Sequence, residues 1–204
     1  MYTGCMDTQA LKVKIILGST REGRFSDKVG AWMLEEVKKD SHIEAEVLDL
    51  RDFEMPFFAE AETPSYKTKP YAHPAVAQWT AKIAEADAFI IVAPEYNHGY
   101  PAVLKNALDY VYQEWNNKPV AFVSYGSALG SRSVEQLRQV AIELQMAPIR
   151  NALHMPYDVI MAVGKGAPVG DVLAPYAERV GGLLSQLLWW GKALKAARND
   201  MPAA

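Results

Sequence analysis

This chain has only one cysteine, no strong excess of one charge sign and no long hydrophobic run. The single cysteine, Cys5, excludes an intrachain disulfide and a metal site built from cysteines alone. The net charge of −3 gives no electrostatic basis for binding nucleic acid. The longest apolar stretch, residues 181–191, is interrupted by Ser185 and Gln186 and is too short to span a bilayer. We therefore predict no nucleic-acid partner and no membrane partner.

The 204 residues are enough for one domain with a full hydrophobic core, which we place at 12–197 with flexible termini at 1–11 and 198–204. The polar leader lacks the basic and apolar regions of a signal peptide, so a cytoplasmic location is expected. His42, His73 and His154 do not have metal-ligand spacing, and no metal site is predicted.

Short apolar stretches alternate with segments of helical periodicity along the whole chain. The predicted strands are 13–17, 43–48, 88–92, 119–124 and 148–153, and the predicted helices are 26–39, 75–86, one starting at Pro101, 131–143 and 171–197. This alternation predicts an α/β fold with a doubly wound parallel sheet. Ser26-Asp27 offers an N-cap for the first helix, and Ala93-Pro94 is expected to end the third strand. The irregular segment 49–74 is long enough to suggest a functional or interface role.

The chain is organised around the stretch 88–110. A strand predicted to be buried on both faces is followed by a loop with three planar side chains, Tyr96, His98 and Tyr100, and then by an amphipathic helix. Such a strand–loop–helix joint lies at the carboxyl edge of a parallel sheet, where ligands bind. The loop suits a flat heteroaromatic ligand, but the residues alone fit an ordinary turn with packing tyrosines equally well.

The segment 18–26 connects the first strand to the first helix and carries Ser19, Thr20, Arg21, Arg24 and Ser26. Hydroxyls, guanidinium groups and a helix N-terminus are what a phosphate monoester requires. The sequence lacks the Gly-Lys-Ser/Thr of a Walker A loop and the third glycine of a dinucleotide fingerprint. A mononucleotide phosphate site of flavodoxin type is therefore favoured over solvated arginines and turn-capping hydroxyls. The fourth strand ends in a third small-residue loop, 124–131, at the same edge.

Together these three loops resemble the NAD(P)H-dependent FMN reductase family, which includes quinone, azo and chromate reductases. The resemblance spans about 13–197, and its specific part is the Pro-Glu-Tyr-Asn of residues 94–97 followed by Leu-Lys-Asn-Ala-Leu-Asp at 104–109. Gly-Ser-Thr-Arg at 18–21 with Ser26, and Ser-Tyr-Gly at 124–126, add to it. The chain departs from the family at Arg24-Phe25, where a shorter loop with an asparagine is often found, and at 97–100, where many members carry a serine.

The resemblance implies a flavodoxin-like five-stranded sheet of order 2-1-3-4-5 and a bound FMN. Its phosphate loop would correspond to Ser19, Arg21, Phe25 and Ser26. The isoalloxazine would lie along residues 94–97, with backbone groups of Tyr96, Asn97 and His98 at its polar edge. The complete set of cofactor-binding residues implied is Ser19, Arg21, Phe25, Ser26, Pro94, Glu95, Tyr96, Asn97, His98, Ser124, Tyr125 and Gly126.

The implied chemistry is a ping-pong cycle in which NADPH or NADH gives a hydride to flavin N5 and a quinone, free flavin, azo compound or similar acceptor then takes it. No acid–base residue is required; His98 as a proton donor is the minority hypothesis. The resemblance also implies a homodimer or homotetramer with the flavin near the interface. Glu95 is either a buried carboxylate paired across that interface, which the resemblance favours, or a solvated loop residue. The aromatic segment 49–74 would form a wall of the cleft or cover its own sheet.

Two other functions stay open on the sequence alone. A flavodoxin-type electron carrier would hold the same FMN and serve a protein partner, and a flavin-free module would bind only a phosphate ligand. The weak acidity of the chain and the aromatic residues of the segment 49–74 favour the enzyme.

Overall fold

A computed structural model of the chain describes residues 10–67 and 69–200. Five parallel strands form one sheet in the order β2-β1-β3-β4-β5, with β1 at Leu11–Leu17, β2 at Ile43–Asp49, β3 at Ala88–Pro94, β4 at Pro119–Gly126 and β5 at Ala147–Pro156. The predicted α/β fold and strand order are confirmed. The order reverses beside β1, and that switch point places a crevice at the carboxyl ends of β1 and β3.

The helices follow the predicted order with one addition. They are α1 (Ser26–Val37), α2 (Pro74–Glu85), α3 (Ala102–Asp109), α4 (Ser131–Glu143), α5 (Tyr157–Gly164), α6 (Val169–Leu173) and α7 (Ala177–Asp200). The prediction of one helix over 171–197 was wrong, because a 3₁₀ turn at 174–176 containing Pro175 separates α6 from α7. The connection after β5 contains α5, a helix that was not among those predicted.

Two hydrophobic layers hold the helices to the sheet. On one face α1, α5, α6 and α7 cover the odd-numbered residues of β1 and the even-numbered residues of β3, such as Ile15 and Ile90. On the other face α2, α3 and α4 pack against Ile16, Phe89 and Phe122. Every residue of β3 is buried, as expected of a central strand, whereas β2 is only partly buried at the sheet edge. The rigid sheet fixes where its carboxyl-end loops begin.

The strand β3 ends at Pro94, as predicted, but Ala93 and Pro94 still pair with β4, so the strand is two residues longer than the predicted 88–92. Pro94 pairs with Tyr125 of β4, and the next residue donates its N–H to the Tyr125 carbonyl at 3.0 Å. Successive N–H groups of a strand point to opposite neighbours, so the N–H that proline lacks would face β1. Because β1 has already ended at Leu17, the proline removes no hydrogen bond from the sheet.

The aromatic segment 49–74 mainly covers its own side of the sheet. Phe53 and Phe58 pack on the layer formed by α2 and α3. Asn106 of α3 holds the segment, accepting a hydrogen bond from the N–H of Phe58 and donating one to the carbonyl of Pro56, both at 2.8 Å. Phe57 and Tyr66 are by contrast 81% and 76% exposed.

The predicted flexible termini lie mostly outside the described residues, as does Cys5. Within that described range, Leu11 already belongs to β1 and is buried, and α7 continues through residues 198–200. Arg198 of α7 donates to Asp87 at the amino end of β3, at 3.2 Å. No helix in the described part of the chain is long and apolar enough to cross a membrane.

Candidate active site

A cavity of about 480 Å³ opens at the carboxyl edge of the sheet, where β1, β3 and β4 end. Four segments surround it: the loop between β1 and α1, the end of β3, the end of β4, and helix α5. The lining residues are Arg21, Gly23, Arg24, Phe25, Lys28, Pro94, Glu95, Tyr96, Tyr125, Gly126, Ser127, Tyr157, Ile160, Val163 and Gly164. The topology thus brings all three sequence-predicted loops to one crevice.

The start of α1 provides a site for an anion. Ser26 is the first residue of the helix and is fully buried; its hydroxyl oxygen makes no hydrogen bond of good geometry among the described residues, although it lies close to the Tyr125 hydroxyl. The predicted N-cap at Ser26-Asp27 was wrong, because Phe25 holds the N-cap position without a side-chain cap. The Lys28 N–H donates to the Phe25 carbonyl at 3.0 Å, whereas the N–H groups of Ser26 and Asp27 have no intrahelical acceptor and carry the positive end of the helix dipole. A buried hydroxyl that lacks a well-formed hydrogen bond fits a phosphate group at this place.

The two arginines of this loop have different environments. Arg21 is exposed and lines the cavity, whereas the Arg24 side chain is 1% exposed and binds Asp49 and Asp27. Burial alone would lower the pKa of Arg24, but its hydrogen bonds to these carboxylates outweigh burial and raise the pKa. Burial would likewise raise the pKa of Asp49, yet the hydrogen bond from Arg24 lowers it. Lys28, which the sequence reasoning did not single out, supplies a second exposed cation to the cavity.

A hydrogen bond links the first two loops. The Tyr96 hydroxyl lies 2.8 Å from the hydroxyl of Ser19, which also accepts the N–H of Arg21 at 3.3 Å. Ser19 is fully buried. Its side chain therefore stabilises the loop from below, and the lining of the cavity itself is formed by its neighbours.

The turn after β3 is tight and strained. Tyr96 and Gly99 exchange two backbone hydrogen bonds of 2.8 and 3.0 Å, and the two residues between them, Asn97 and His98, have φ angles of 49° and 72°. A left-handed conformation at a residue other than glycine costs about 1–3 kcal/mol and persists only when its surroundings fix it. Gln136 of α4 helps to do so by donating to the His98 carbonyl at 2.9 Å. Asn97 and His98 are exposed and do not line the cavity.

Glu95 is paired within its own chain, which corrects the expectation of a partner across a subunit contact. Its carboxylate, 5% exposed, receives the Arg132 guanidinium at 2.6 Å and the Arg132 N–H at 3.2 Å. The same guanidinium lies 2.6 Å from Nε2 of His98. Because arginine only donates, Nε2 accepts this hydrogen bond and the ring proton is on Nδ1, so Nε2 is not available as a proton donor.

The third loop contributes backbone and ring surfaces. Tyr125, Gly126 and Ser127 line the cavity, and the Tyr125 ring packs edge-to-face on Phe25 at 5.2 Å. Burial raises the pKa of Tyr125, so its hydroxyl stays protonated. Ser124, expected to contact the cofactor, does not line the cavity. Its hydroxyl donates to the Leu129 carbonyl at 3.1 Å and contacts Nδ1 of His154 at 2.8 Å, so it stabilises the loop.

Helix α5 forms the apolar wall that the sequence reasoning missed. Tyr157, Ile160 and Val163 line the cavity beside the α1 loop, and Val159 anchors the helix in the core. The sequence carried a weak indication: Pro156 stands before an apolar run whose Val159, Ile160 and Val163 have i, i+1, i+4 spacing.

The sequence-predicted residues therefore divide into three groups. Those that line the cavity are Arg21, Phe25, Pro94, Glu95, Tyr96, Tyr125 and Gly126. Ser19, in the loop between β1 and α1, and Ser26, the first residue of α1, are buried. Asn97, His98 and Ser124 lie outside the lining.

Comparison with known proteins gives one family. A sequence model described as NADPH-dependent FMN reductase matches residues 11–159. An NAD(P)H-dependent FMN reductase of Schizosaccharomyces pombe is 39% identical over 152 residues, which cover 74% of this chain and 76% of that protein. An NAD(P)H:quinone oxidoreductase of Solanum tuberosum is 34% identical over 67% of this chain and 70% of its own length. The flavoenzyme NAD(P)H:(acceptor) oxidoreductase (FerB) of Paracoccus denitrificans shares the fold, with a TM-score of 0.69 at 18% identity over 90% of this chain and 98% of its own.

Proposed function

Because the chain belongs to the NADPH-dependent FMN reductase family, a family of oxidoreductases that use FMN and NAD(P)H, we propose that it transfers a hydride from NAD(P)H through FMN to a small oxidant. A quinone is the favoured acceptor class, with free flavins and azo compounds next, because a related plant protein is a quinone oxidoreductase. The observation that carries the FMN assignment is the buried hydroxyl of Ser26, the first residue of α1, which makes no hydrogen bond of good geometry and stands next to Phe25 of the cavity lining.

The residues of the cavity fit the two ends of FMN. Ser26, the free N–H groups of the first turn of α1, and the exposed cations Arg21 and Lys28 would hold the phosphate. The ring system would lie against the backbone at the ends of β3 and β4, beside Pro94 and Gly126. When bound, FMN supplies the hydride chemistry, because its ring accepts and gives two electrons.

The protein holds the backbone around the ring system in place and presents an apolar surface on one side of the cavity. The pair between Glu95 and Arg132 fixes the start of the loop after β3, so that the backbone there is held before any ligand arrives. Ile160 and Val163 of α5 present apolar surface to the cavity and would exclude water from one side of the ring. No side chain is assigned as acid or base, since His98 is engaged by Arg132 outside the lining.

The first experiment is an anaerobic titration of the FMN-reconstituted protein with NADPH and, separately, NADH. We expect the visible flavin band to bleach within seconds and to return on addition of a quinone. Double-reciprocal plots of the steady-state rate against NAD(P)H concentration, measured at several quinone concentrations, should give parallel lines, as ping-pong kinetics require. Tight FMN binding without bleaching would replace the enzyme with an electron carrier. A protein that binds no FMN at all would overturn the phosphate assignment.

We further propose that the chain forms a homo-oligomer with the flavin near the interface, in the cytoplasm. Supporting this is Phe57, an apolar side chain 81% exposed on a surface shared with Tyr100 and Lys105, next to the strained turn at 97–98. Replacing Phe57 with serine should weaken association by about tenfold or more, measured by sedimentation equilibrium. Tyr66→Ser, at an equally exposed aromatic of the same segment, is the control. A monomeric wild-type protein would contradict the proposal.

A further inference from the structure

Arg24, where the sequence departs from its family, has no hydrogen-bonding capacity left for a ligand. Its Nε donates to Asp27 at 2.6 Å, and its Nη1 donates to Asp49 at 2.8 Å and also to the Ser19 carbonyl. Its Nη2 donates to the second oxygen of Asp49, which completes a bidentate pair. With its side chain 1% exposed, Arg24 presents no free donor to the cavity.

A second arginine, Arg51, binds the same loop from the turn that follows the carboxyl end of β2. Arg51 donates to the carbonyls of Thr20 and Arg21, at 3.3 and 2.5 Å, and its own N–H donates to Asp49 at 2.9 Å. The carbonyls of residues 19–21, which are consecutive, are therefore all bound by guanidinium groups. In a planar trans peptide the C=O and the N–H point in opposite directions, so the N–H groups of residues 20–22 face away from the arginines. The Arg21 N–H donates to the Ser19 hydroxyl, and those of Thr20 and Glu22 have no acceptor among the described residues. Backbone N–H groups that are close in sequence and point to the same side form anion-binding concavities.

We propose that Arg24 and Asp49 are positioning residues: they hold the loop 19–23 in the conformation that binds phosphate, and Arg24 does not itself contact the phosphate. Asp49, the last residue of β2, anchors the arrangement to the rigid sheet, since it also accepts from Arg51. The direct cationic contacts are left to Arg21 and Lys28, which are exposed at the cavity. The identity of the phosphate ligand as FMN rests on the function proposed above.

The test is a double-mutant cycle with Arg24→Gln, Asp49→Asn and the combined variant, titrated with FMN and with riboflavin, which lacks the phosphate. Each single variant should weaken FMN binding by about tenfold or more and leave riboflavin within about twofold. The double variant should be no weaker than either single one, because both act through one contact. Asp49→Asn binding FMN as tightly as wild type while Arg24→Gln fails would make Arg24 a direct ligand. Additive losses, or equal losses for riboflavin, would also overturn the proposal.

Amide hydrogen exchange of the ligand-free protein tests the positioning itself, independently of FMN. We expect exchange at residues 21 and 24, whose N–H groups are bonded to the Ser19 hydroxyl and the Arg21 carbonyl, to be at least about tenfold faster in both single variants than in wild type. Lys28→Gln, which removes a cation from the same cavity without touching the loop carbonyls, should weaken FMN binding and leave exchange unchanged. If the wild type binds no FMN but exchange is still faster in both single variants, the proposed function fails and the positioning role stands. If exchange in Asp49→Asn equals that of the wild type, the positioning role is wrong. Should Arg24→Gln not fold, Arg24→Lys serves, because lysine keeps the charge but cannot form the bidentate pair.

Discussion

Replacing Ser26 with aspartate is expected to abolish FMN binding. Ser26 is the first residue of α1, and its fully buried hydroxyl makes no hydrogen bond of good geometry among the described residues. A carboxylate at a helix N-terminus is favourable in the ligand-free protein, because it meets the positive end of the helix dipole. The same carboxylate would repel a phosphate at this position. Opposed like charges cost several kcal/mol, which corresponds to an affinity loss of about 100-fold or more.

Parallel titrations with FMN and riboflavin provide the measurement for this variant. Riboflavin binding should persist, since riboflavin brings no second negative charge. Ser26→Ala removes only one hydrogen bond to a charged group and should cost about tenfold in FMN affinity. The matched control is Ser41→Asp, which adds the same charge at an exposed position in the turn between α1 and β2. If Ser26→Asp binds FMN within about tenfold of wild type, Ser26 does not face the phosphate.

The sequence was sufficient to place the loops, because strand–loop–helix alternation decides which ends of a parallel sheet share an edge. Apolar runs located all five strands, and their polar C-terminal loops met at the predicted crevice. What the alternation could not tell was where each side chain of a loop points. Arg21 and Arg24 look alike in the sequence, but only Arg24 reaches Asp49, a carboxylate 25 residues away that the sheet brings beside it.

Ser124 illustrates the same limit within a strand. A strand with one wet face shows which of its residues point outward, but β4 is buried along its whole length and gives no such pattern. The Ser124 side chain points to His154 and the Leu129 carbonyl, and therefore away from the cavity. Ser124 and His154 lie side by side because β4 and β5 pair in a register that contains an irregularity between Val120 and Phe122. Local sequence does not reveal that register.

Helix α5 was missed for a different reason. With 8 residues it is shorter than the window over which helical periodicity is convincing. Gly164 at its end and Gly166 just beyond it are also typical of loops. Its stability comes from packing, since Val159 is buried in the core formed with α1 and α7. The wall of the cavity therefore depends on a tertiary contact that no local rule anticipates.

Substituting alanine for Gly130 is expected to cause the largest loss of stability among changes near the site. Gly130 precedes α4 with φ at 71°, and a Cβ there would lie 2.6 Å from both the Cβ of Ser124 and the backbone nitrogen of Tyr125. A left-handed non-glycine residue costs about 1–3 kcal/mol, and the clash with a rigid strand adds a similar amount. A total of roughly 3 kcal/mol corresponds to a fall in Tm of about 6–12 °C in a chain of this size.

The consequence of Gly130→Ala should extend to the site, because relieving the clash must move Tyr125, which lines the cavity. Calorimetry and FMN titration of the same samples would measure both effects. Gly181→Ala is the control: this glycine lies in α7 with nothing within 4 Å of its added methyl group, so alanine there should stabilise the helix by up to about 1 kcal/mol. A Gly130→Ala protein whose Tm stays within about 2 °C of wild type would show that the third loop yields without strain. In that case the close approach of Gly130 to β4 does not fix the geometry of the cavity.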